Sequence, residues 1–347
     1  MSEANNETTT EAAPVRVGLI ACAAEAARYA VAIRACDDLE LCGQAGMKQL
    51  DALSGVEWYD DTRVLVAQGG IEALVIGASP RVGLVMGDVA QSHGVHVWRP
   101  PPLGRNFSEA IEIARQLRDA EIAYRVGSWW EHVADDIRWA MDFEDGFKPI
   151  VSELHVSAAG PELSSWRSTL ASAGGGVLAY DAYPLLEALV ELRGLPESVT
   201  GVVGWCRRRK EESPRETEDL ATAIMRFSDG GLAHLRATWD IPPLTWASHH
   251  HSSSASIRYS DTAVAILGPD GEPSEEHPLP AGGLEAEMVR FAAEIRDETR
   301  RGANGVVLDR HLMIAALLEA TYLSARTEHP ELPRRLFEVQ KWPEPQR

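Results

Sequence analysis

Val15-Arg16-Val17-Gly18-Leu19-Ile20-Ala21-Cys22-Ala23-Ala24-Glu25-Ala26-Ala27-Arg28-Tyr29-Ala30 is an apolar run that passes through a short turn into a helix-forming stretch. A strand feeding directly into an amphipathic helix is the entry to a doubly wound α/β domain, and in nucleotide-binding versions the turn reads GxGxxG. The three glycine places here hold Ala21, Ala23 and Ala26. The scaffold pattern is present and the phosphate-binding signature is absent.

From residue 15 to about 143 the pattern repeats, with strands expected near 15–21, 38–43, 72–78, 94–98 and 121–126. Helices are expected near 23–35, 80–92, 107–119 and 130–142, and this alternation predicts a parallel sheet covered on both faces. Beyond Lys148-Pro149 the period changes to two, in segments 149–157, 198–208, 219–228, 231–239, 254–260 and 262–267. Turn signals such as Asp229-Gly230-Gly231 predict an antiparallel sheet, flanked by helices near 181–193, 284–301 and 308–326. The expected organisation is a tail at 1–14, a Rossmann-type α/β domain at 15–145 and an α+β domain with an open sheet at 146–347.

The chain has 347 residues, 45% hydrophobic and 24% charged, enough for two cores of ordinary size. Its net charge of -19 disfavours nucleic acid or an anionic membrane as partner, because both repel an acidic surface. The four cysteines, Cys22, Cys36, Cys42 and Cys206, have no metal-ligand spacing and read as reduced thiols of a cytoplasmic protein. Met1 to Pro14 reads as a disordered tail, neither signal peptide nor membrane span.

These segments, in this order, resemble the Gfo/Idh/MocA family, the glucose-fructose oxidoreductase and inositol dehydrogenase group. The resemblance rests on Val15–Ala30, on Ala73-Leu74-Val75-Ile76 and on Gly94-Val95-His96-Val97-Trp98-Arg99-Pro100-Pro101-Pro102-Leu103. It continues through Gly174-Gly175-Gly176-Val177-Leu178, Glu218-Asp219-Leu220-Ala221, and Tyr322-Leu323-Ser324-Ala325-Arg326-Thr327. It implies NAD(P) as cofactor, a sugar, cyclitol or polyol as substrate, and a dimer formed through the second-domain sheet, either with itself or with an active paralogue.

The resemblance also implies site positions, and most of them are altered. Ala21, Ala23 and Ala24 occupy the phosphate turn, and Glu25 adds a carboxylate in the first helical turn. Gly46 stands where an acidic residue holds the adenosine ribose, with Gln44 and Lys48 as nearby polar groups. Ser79-Pro80 keeps the proline beside the nicotinamide, but Gly83 stands in place of the following histidine. The Glu-Lys-Pro triplet reads Pro100-Pro101-Pro102, so Pro101, whose amide nitrogen carries no proton, replaces the lysine that serves in proton transfer. After Gly176, Tyr180 or Asp181 falls at the family's Asp, and Pro184 or Leu185 at its His.

Two readings follow. One is a pseudo-oxidoreductase that keeps the fold and acts as a binding, regulatory or partner subunit. The other is an active NAD(P)-dependent oxidoreductase in which Tyr180, Asp181 or Tyr183 acts as acid or base, with Trp129 and Trp130 stacking on a sugar ring. Ser248-His249-His250-His251-Ser252 is read as a solvated loop rather than a metal site, because consecutive histidines alternate sides in extended chain and lack i, i+4 spacing.

Overall fold

The computed structural model describes residues 13–46, 53–118, 120–128, 131, 138–142, 147–206, 215–279, 283–298 and 304–345. Two sheets organise it. The first has six parallel strands, β1 (Val15–Ala21), β2 (Leu39–Ala45), β3 (Glu57–Tyr59), β4 (Ala73–Gly77), β5 (His96–Arg99) and β6 (Tyr124–Val126), in the order β3-β2-β1-β4-β5-β6. Helices α1 (Ala23–Arg34), α2 (Thr62–Gln68), α3 (Pro80–Ser92) and α4 (Phe107–Leu117) provide the crossovers.

Local chemistry accounts for these elements. In β1, Val17, Leu19 and Ile20 are buried on both faces of the sheet, as a parallel strand under two helical layers requires. In α1, Ala26, Tyr29, Ala30 and Ile33 recur at the helical period and turn one buried stripe toward the strands. Ser79 caps α3 by accepting from the Val82 amide at 3.4 Å, with Pro80 in the first turn. Asn106 caps α4 in the same way.

The second sheet has eight strands: β7 (Val151–Ala158), β8 (Ser198–Gly204), β9 (Leu220–Arg226), β10 (Leu232–Trp239), β11 (Thr245–His251), β12 (Ser256–Ser260), β13 (Ala263–Leu267) and β14 (Pro273–Pro278). Their order is β14-β13-β12-β11-β7-β10-β9-β8, antiparallel except for the β7/β10 pair. The remaining helices are α5 (Leu170–Ala173), α6 (Val177–Tyr180), α7 (Tyr183–Arg193), α8 (Gly283–Arg296), α9 (Asn304–Thr327) and α10 (Pro333–Gln340). Helix α9 covers one face of the sheet at β8 and packs on α7. The other face is open, with Val151, Val202, Ile224 and Leu232 exposed on it. Helix α8 joins the first core instead, placing Met288, Phe291 and Ile295 against residues of β1 and α1.

Buried charges lock the junction. Arg125, in β6, pairs with Glu287 and Glu294 of α8 and with Glu131. Arg310 of α9 pairs with Glu187 and Glu191 of α7 and donates to Ser128 Oγ at 2.9 Å. Among the described residues no helix is long and apolar enough to cross a membrane.

Two differences from the sequence reading stand out. Ser248–Ser252, expected to form a solvated loop, falls largely in strand β11 (Thr245–His251), which pairs with both β7 and β12. The reason is tertiary: His250 is buried, with Nδ1 2.9 Å from Ser152 Oγ and Nε2 3.1 Å from both Ser248 Oγ and Tyr259 Oη. Hydroxyls on the two neighbouring strands, with one from β11 itself, thus satisfy a ring whose polarity argued for a loop. The short elements β3, α2, β14 and α10 were also not anticipated. The helix expected near 130–142 falls largely outside the described residues.

Candidate nucleotide cleft

In the first sheet the strand order reverses between β1 and β4, so the crossovers leave in opposite directions and open a crevice at the strand ends. A cavity of about 700 Å³ occupies this crevice, lined by Ala21, Cys22, Ala23, Gly46, Ala78 and Met86 among others. Its described lining is mainly hydrocarbon, and Arg81 is the one charged side chain among those residues. This is the place where doubly wound folds hold a dinucleotide.

Each part of that site can be followed to its residues. Cys22 is the N-cap of α1, and the amides of Glu25 and Ala26 donate to its carbonyl at 3.1 and 2.9 Å. No side chain caps the helix. The Cys22 thiol donates to Glu25 Oε2 at 3.4 Å, so the Glu25 carboxylate is folded back onto the helix start. A helix N-terminus attracts anions, and here an anion of the chain itself lies beside it. Ala21, Ala23 and Ala26 all line the cavity, and Ala26 is also fully buried, at the place where the third glycine of the fingerprint packs. Ala24 lies in α1.

Gly46, just past β2, faces the cavity with open space where a side chain would stand. It supplies neither the acceptor a ribose needs nor a cation for a 2′-phosphate. Gln44 is committed elsewhere, its amide donating to the Leu53 and Val56 carbonyls at 3.1 and 3.4 Å. Lys48 lies outside the described residues.

Two side chains not assigned a role from sequence pack against glycines near the ends of β4 and β5. Arg99, at the end of β5, is buried and donates to the Leu103 and Pro102 carbonyls at 3.1 and 2.8 Å. Its guanidinium lies so close to Gly83 that a Cβ there would be 2.5 Å from Nη1. A side chain at position 83 would have to displace the Arg99 guanidinium. Tyr29 lies across Gly77 at the end of β4, where an added Cβ would meet its ring at 2.2 Å, and stands edge-on to Trp98 at 5.8 Å. Burial, with the Glu25 carboxylate second, raises the Tyr29 phenol well above its ordinary value. No sequence signal marks either pair, because Arg99 reaches Gly83 in α3 and Tyr29 in α1 reaches Gly77 only after folding.

The proposed substitute acids are not brought together. The Tyr180 hydroxyl donates to the Ala173 carbonyl at 2.7 Å, its ring sits under the Arg167 guanidinium at 4.6 Å, and burial holds its phenol protonated. Asp181 accepts from Trp239 Nε1 at 2.7 Å. Tyr183 is buried on α7 with its hydroxyl 2.6 Å from His311 Nδ1, and burial pushes that imidazole down to about 3. None of the three lines the crevice. Ser79 and Pro80 start α3, Pro101 sits in the loop held by Arg99, and Trp129 and Trp130 lie outside the described residues.

Comparison with known proteins fits this geometry. Residues 148–268 match the GFO/IDH/MocA C-terminal domain. No curated protein sequence matches the chain. Among solved structures, an oxidoreductase from Thermotoga maritima superposes with a TM-score of 0.78 at 16% identity, covering 93% of this chain and 99% of the other. Aldose-aldose oxidoreductase from Caulobacter crescentus, complexed with glycerol, gives 0.76 at 17% identity over 92% and 99%. Levoglucosan dehydrogenase, in complex with NADH and levoglucosan, gives 0.75 at 17% identity over 92% and 100%. Residues 148–268 thus match the GFO/IDH/MocA C-terminal domain, and the chain as a whole shares the two-sheet fold of these solved oxidoreductases.

Proposed function

We propose that this chain is a degenerate Gfo/Idh/MocA-type protein that has given up hydride transfer and serves as a binding, regulatory or partner subunit. The observation that carries this reading is the Glu25 carboxylate at the start of α1. A phosphate brought to roughly 5 Å from it, at an effective dielectric of about 20, is opposed by on the order of 3 kcal/mol. The residues present therefore do not fit a dinucleotide pyrophosphate. Pro101 and Gly83 also leave no side chain for proton transfer where the family places its lysine and histidine.

The open face of the second sheet supports a partner role, since Val202 and Ile224 stand 61% and 58% exposed on neighbouring strands. A homodimer, or a heterodimer with an active paralogue, would cover them. Four cysteines without a disulfide fit a cytoplasmic protein. We propose that the break between the two organising units falls near residue 145.

A second reading retains support from the crevice itself. Its volume of about 700 Å³ and apolar lining suit a nucleoside, as an active NAD(P)-dependent oxidoreductase on a sugar, cyclitol or polyol would require. Titration of the purified chain with NADH and NADPH, followed by energy transfer from tryptophan, separates the two. No response at millimolar cofactor is the expected result, and saturation in the micromolar range overturns the first reading.

A further inference from the structure

The run His249-His250-His251 is split by strand geometry. Side chains in an extended chain alternate, so His250 enters the core while His249 and His251 stand together on the open face. Glu153 of β7 lies directly opposite His249 in the antiparallel register. One ring nitrogen from each histidine and one Glu153 carboxylate oxygen lie within 4.8 Å of one another. The separation between His251 Nε2 and Glu153 Oε2 is 4.0 Å.

We propose that Glu153, His249 and His251 form a binding site for a divalent transition metal of the zinc class, with its remaining coordination position open to water.

The donor set is two imidazoles and one carboxylate, the composition of open, three-ligand zinc sites. At metal-ligand distances of about 2.0–2.1 Å, tetrahedral geometry requires donors roughly 3.3 Å apart, so the observed spacing must contract by an ångström or so. The two groups that move most easily are the exposed ones: the Glu153 side chain is 62% and that of His251 38% exposed. His251 is already oriented for the task. Its Nδ1 is 2.7 Å from Ser256 Oγ on β12, which leaves Nε2 directed toward Glu153. A hydrogen bond at the far nitrogen is how metal-bound histidines are held in one tautomer.

The surroundings are compatible with a cation. Arg258 stands opposite His249 on β12, but its guanidinium is drawn to Glu276 at 3.3 Å. His234, on the other side of Glu153, has Nε2 3.1 Å from Thr222 Oγ1. The site lies on the second sheet, away from the crevice of the first, and does not depend on whether a dinucleotide binds there.

The test uses the full chain, stripped with a chelator and titrated with Zn²⁺ by calorimetry and with Co²⁺ by visible absorption. One equivalent per chain is expected, with the strong d–d bands of four-coordinate Co²⁺. Glu153→Gln and the double change His249→Ala with His251→Ala should each weaken binding at least tenfold. Ser256→Ala should weaken it by about tenfold to a hundredfold, as loss of an orienting partner does. His234→Ala should leave the equivalent in place. Circular dichroism checks that each variant folds, and if the double change does not, Glu153→Gln at an exposed position decides. Wild-type binding no tighter than that of Glu153→Gln, or an equivalent that vanishes with His234→Ala instead, overturns the site.

Discussion

Two turns lead from a strand or loop into a helix beside glycine positions of the family pattern, and they have opposite fates. At residues 21–26 the glycines are replaced by alanine, and Ala21 and Ala23 border open space. At residues 174–176 all three glycines remain, and the protein itself fills the space around them. A Cβ on Gly174 would come within 2.3 Å of the Arg105 carbonyl, on Gly175 within 2.2 Å of the Tyr322 hydroxyl, and on Gly176 within 1.9 Å of the Glu218 carbonyl. Packing enforces the second set, whereas only a bound phosphate would enforce the first. The contrast teaches that loss of a ligand's glycines need not disturb the fold.

The turns also share a feature, because each helix start meets a carboxylate from the chain. Glu218 accepts from the amides of Gly176 and Leu178 at 2.7 and 3.2 Å and from the Tyr322 hydroxyl at 2.9 Å. At α1 the Glu25 carboxylate accepts only from the Cys22 thiol, at 3.4 Å, and caps no backbone amide.

Substitutions can break or sharpen this contrast. The largest effect is expected from Gly176→Ala, which forces a methyl into the Glu218 carbonyl and should destabilise by on the order of 3 kcal/mol in denaturant unfolding. A loss below about 0.5 kcal/mol, the level of an ordinary surface change, would contradict the packing argument.

Next is the pH dependence of Glu218, whose carboxyl burial raises to about 7 despite its hydrogen bonds. A raised folded-state value means that the folded protein holds the proton more tightly than the unfolded chain. The stability contributed is full below the unfolded value, near 4.5, and is lost as pH rises through about 7. The loss across that window should be about 3 kcal/mol. Glu218→Gln should flatten it, and equal slopes in both proteins would assign the dependence elsewhere.

A smaller change is expected from Ala23→Gly combined with Glu25→Gln, which restores space and removes the like charge. NADH affinity should rise by roughly tenfold or more over the unmodified chain. Unchanged affinity in direct titration would mean that the turn is not what excludes the cofactor. The smallest effect belongs to Ala23→Gly alone, which should lower stability by under about 1 kcal/mol, because no packing depends on that methyl.

Much of this architecture was legible in the chain. The apolar run at 15–21 and the helical stripe of Ala26, Tyr29, Ala30 and Ile33 announce β1 and α1, since buried parallel strands and one-sided helices leave distinct periods. The strand β11 was hidden, because His249-His250-His251 has loop-like polarity and its place in the sheet comes from partners up to 98 residues away. At the cleft, missing chemistry was readable wherever identity alone decides it. Proline has no proton to give and glycine no acceptor, so Pro101 and Gly46 could be judged without a fold. What fills the vacated places was not readable, because Arg99 meets Gly83 and Tyr29 meets Gly77 only through the packing of different elements.

The sequence by itself determined the two-part α/β and α+β architecture and the absence of the fingerprint glycines and of the family's lysine, because periodicity and side-chain chemistry are local properties. Only the tertiary structure decided that Glu25 turns back onto its helix, that Tyr180, Asp181 and Tyr183 are occupied in separate places, and that two of three consecutive histidines meet Glu153 on an open sheet. Such facts depend on register and on which distant side chain arrives at a given point. No single stretch of chain carries that information, because it is fixed only when the whole core packs.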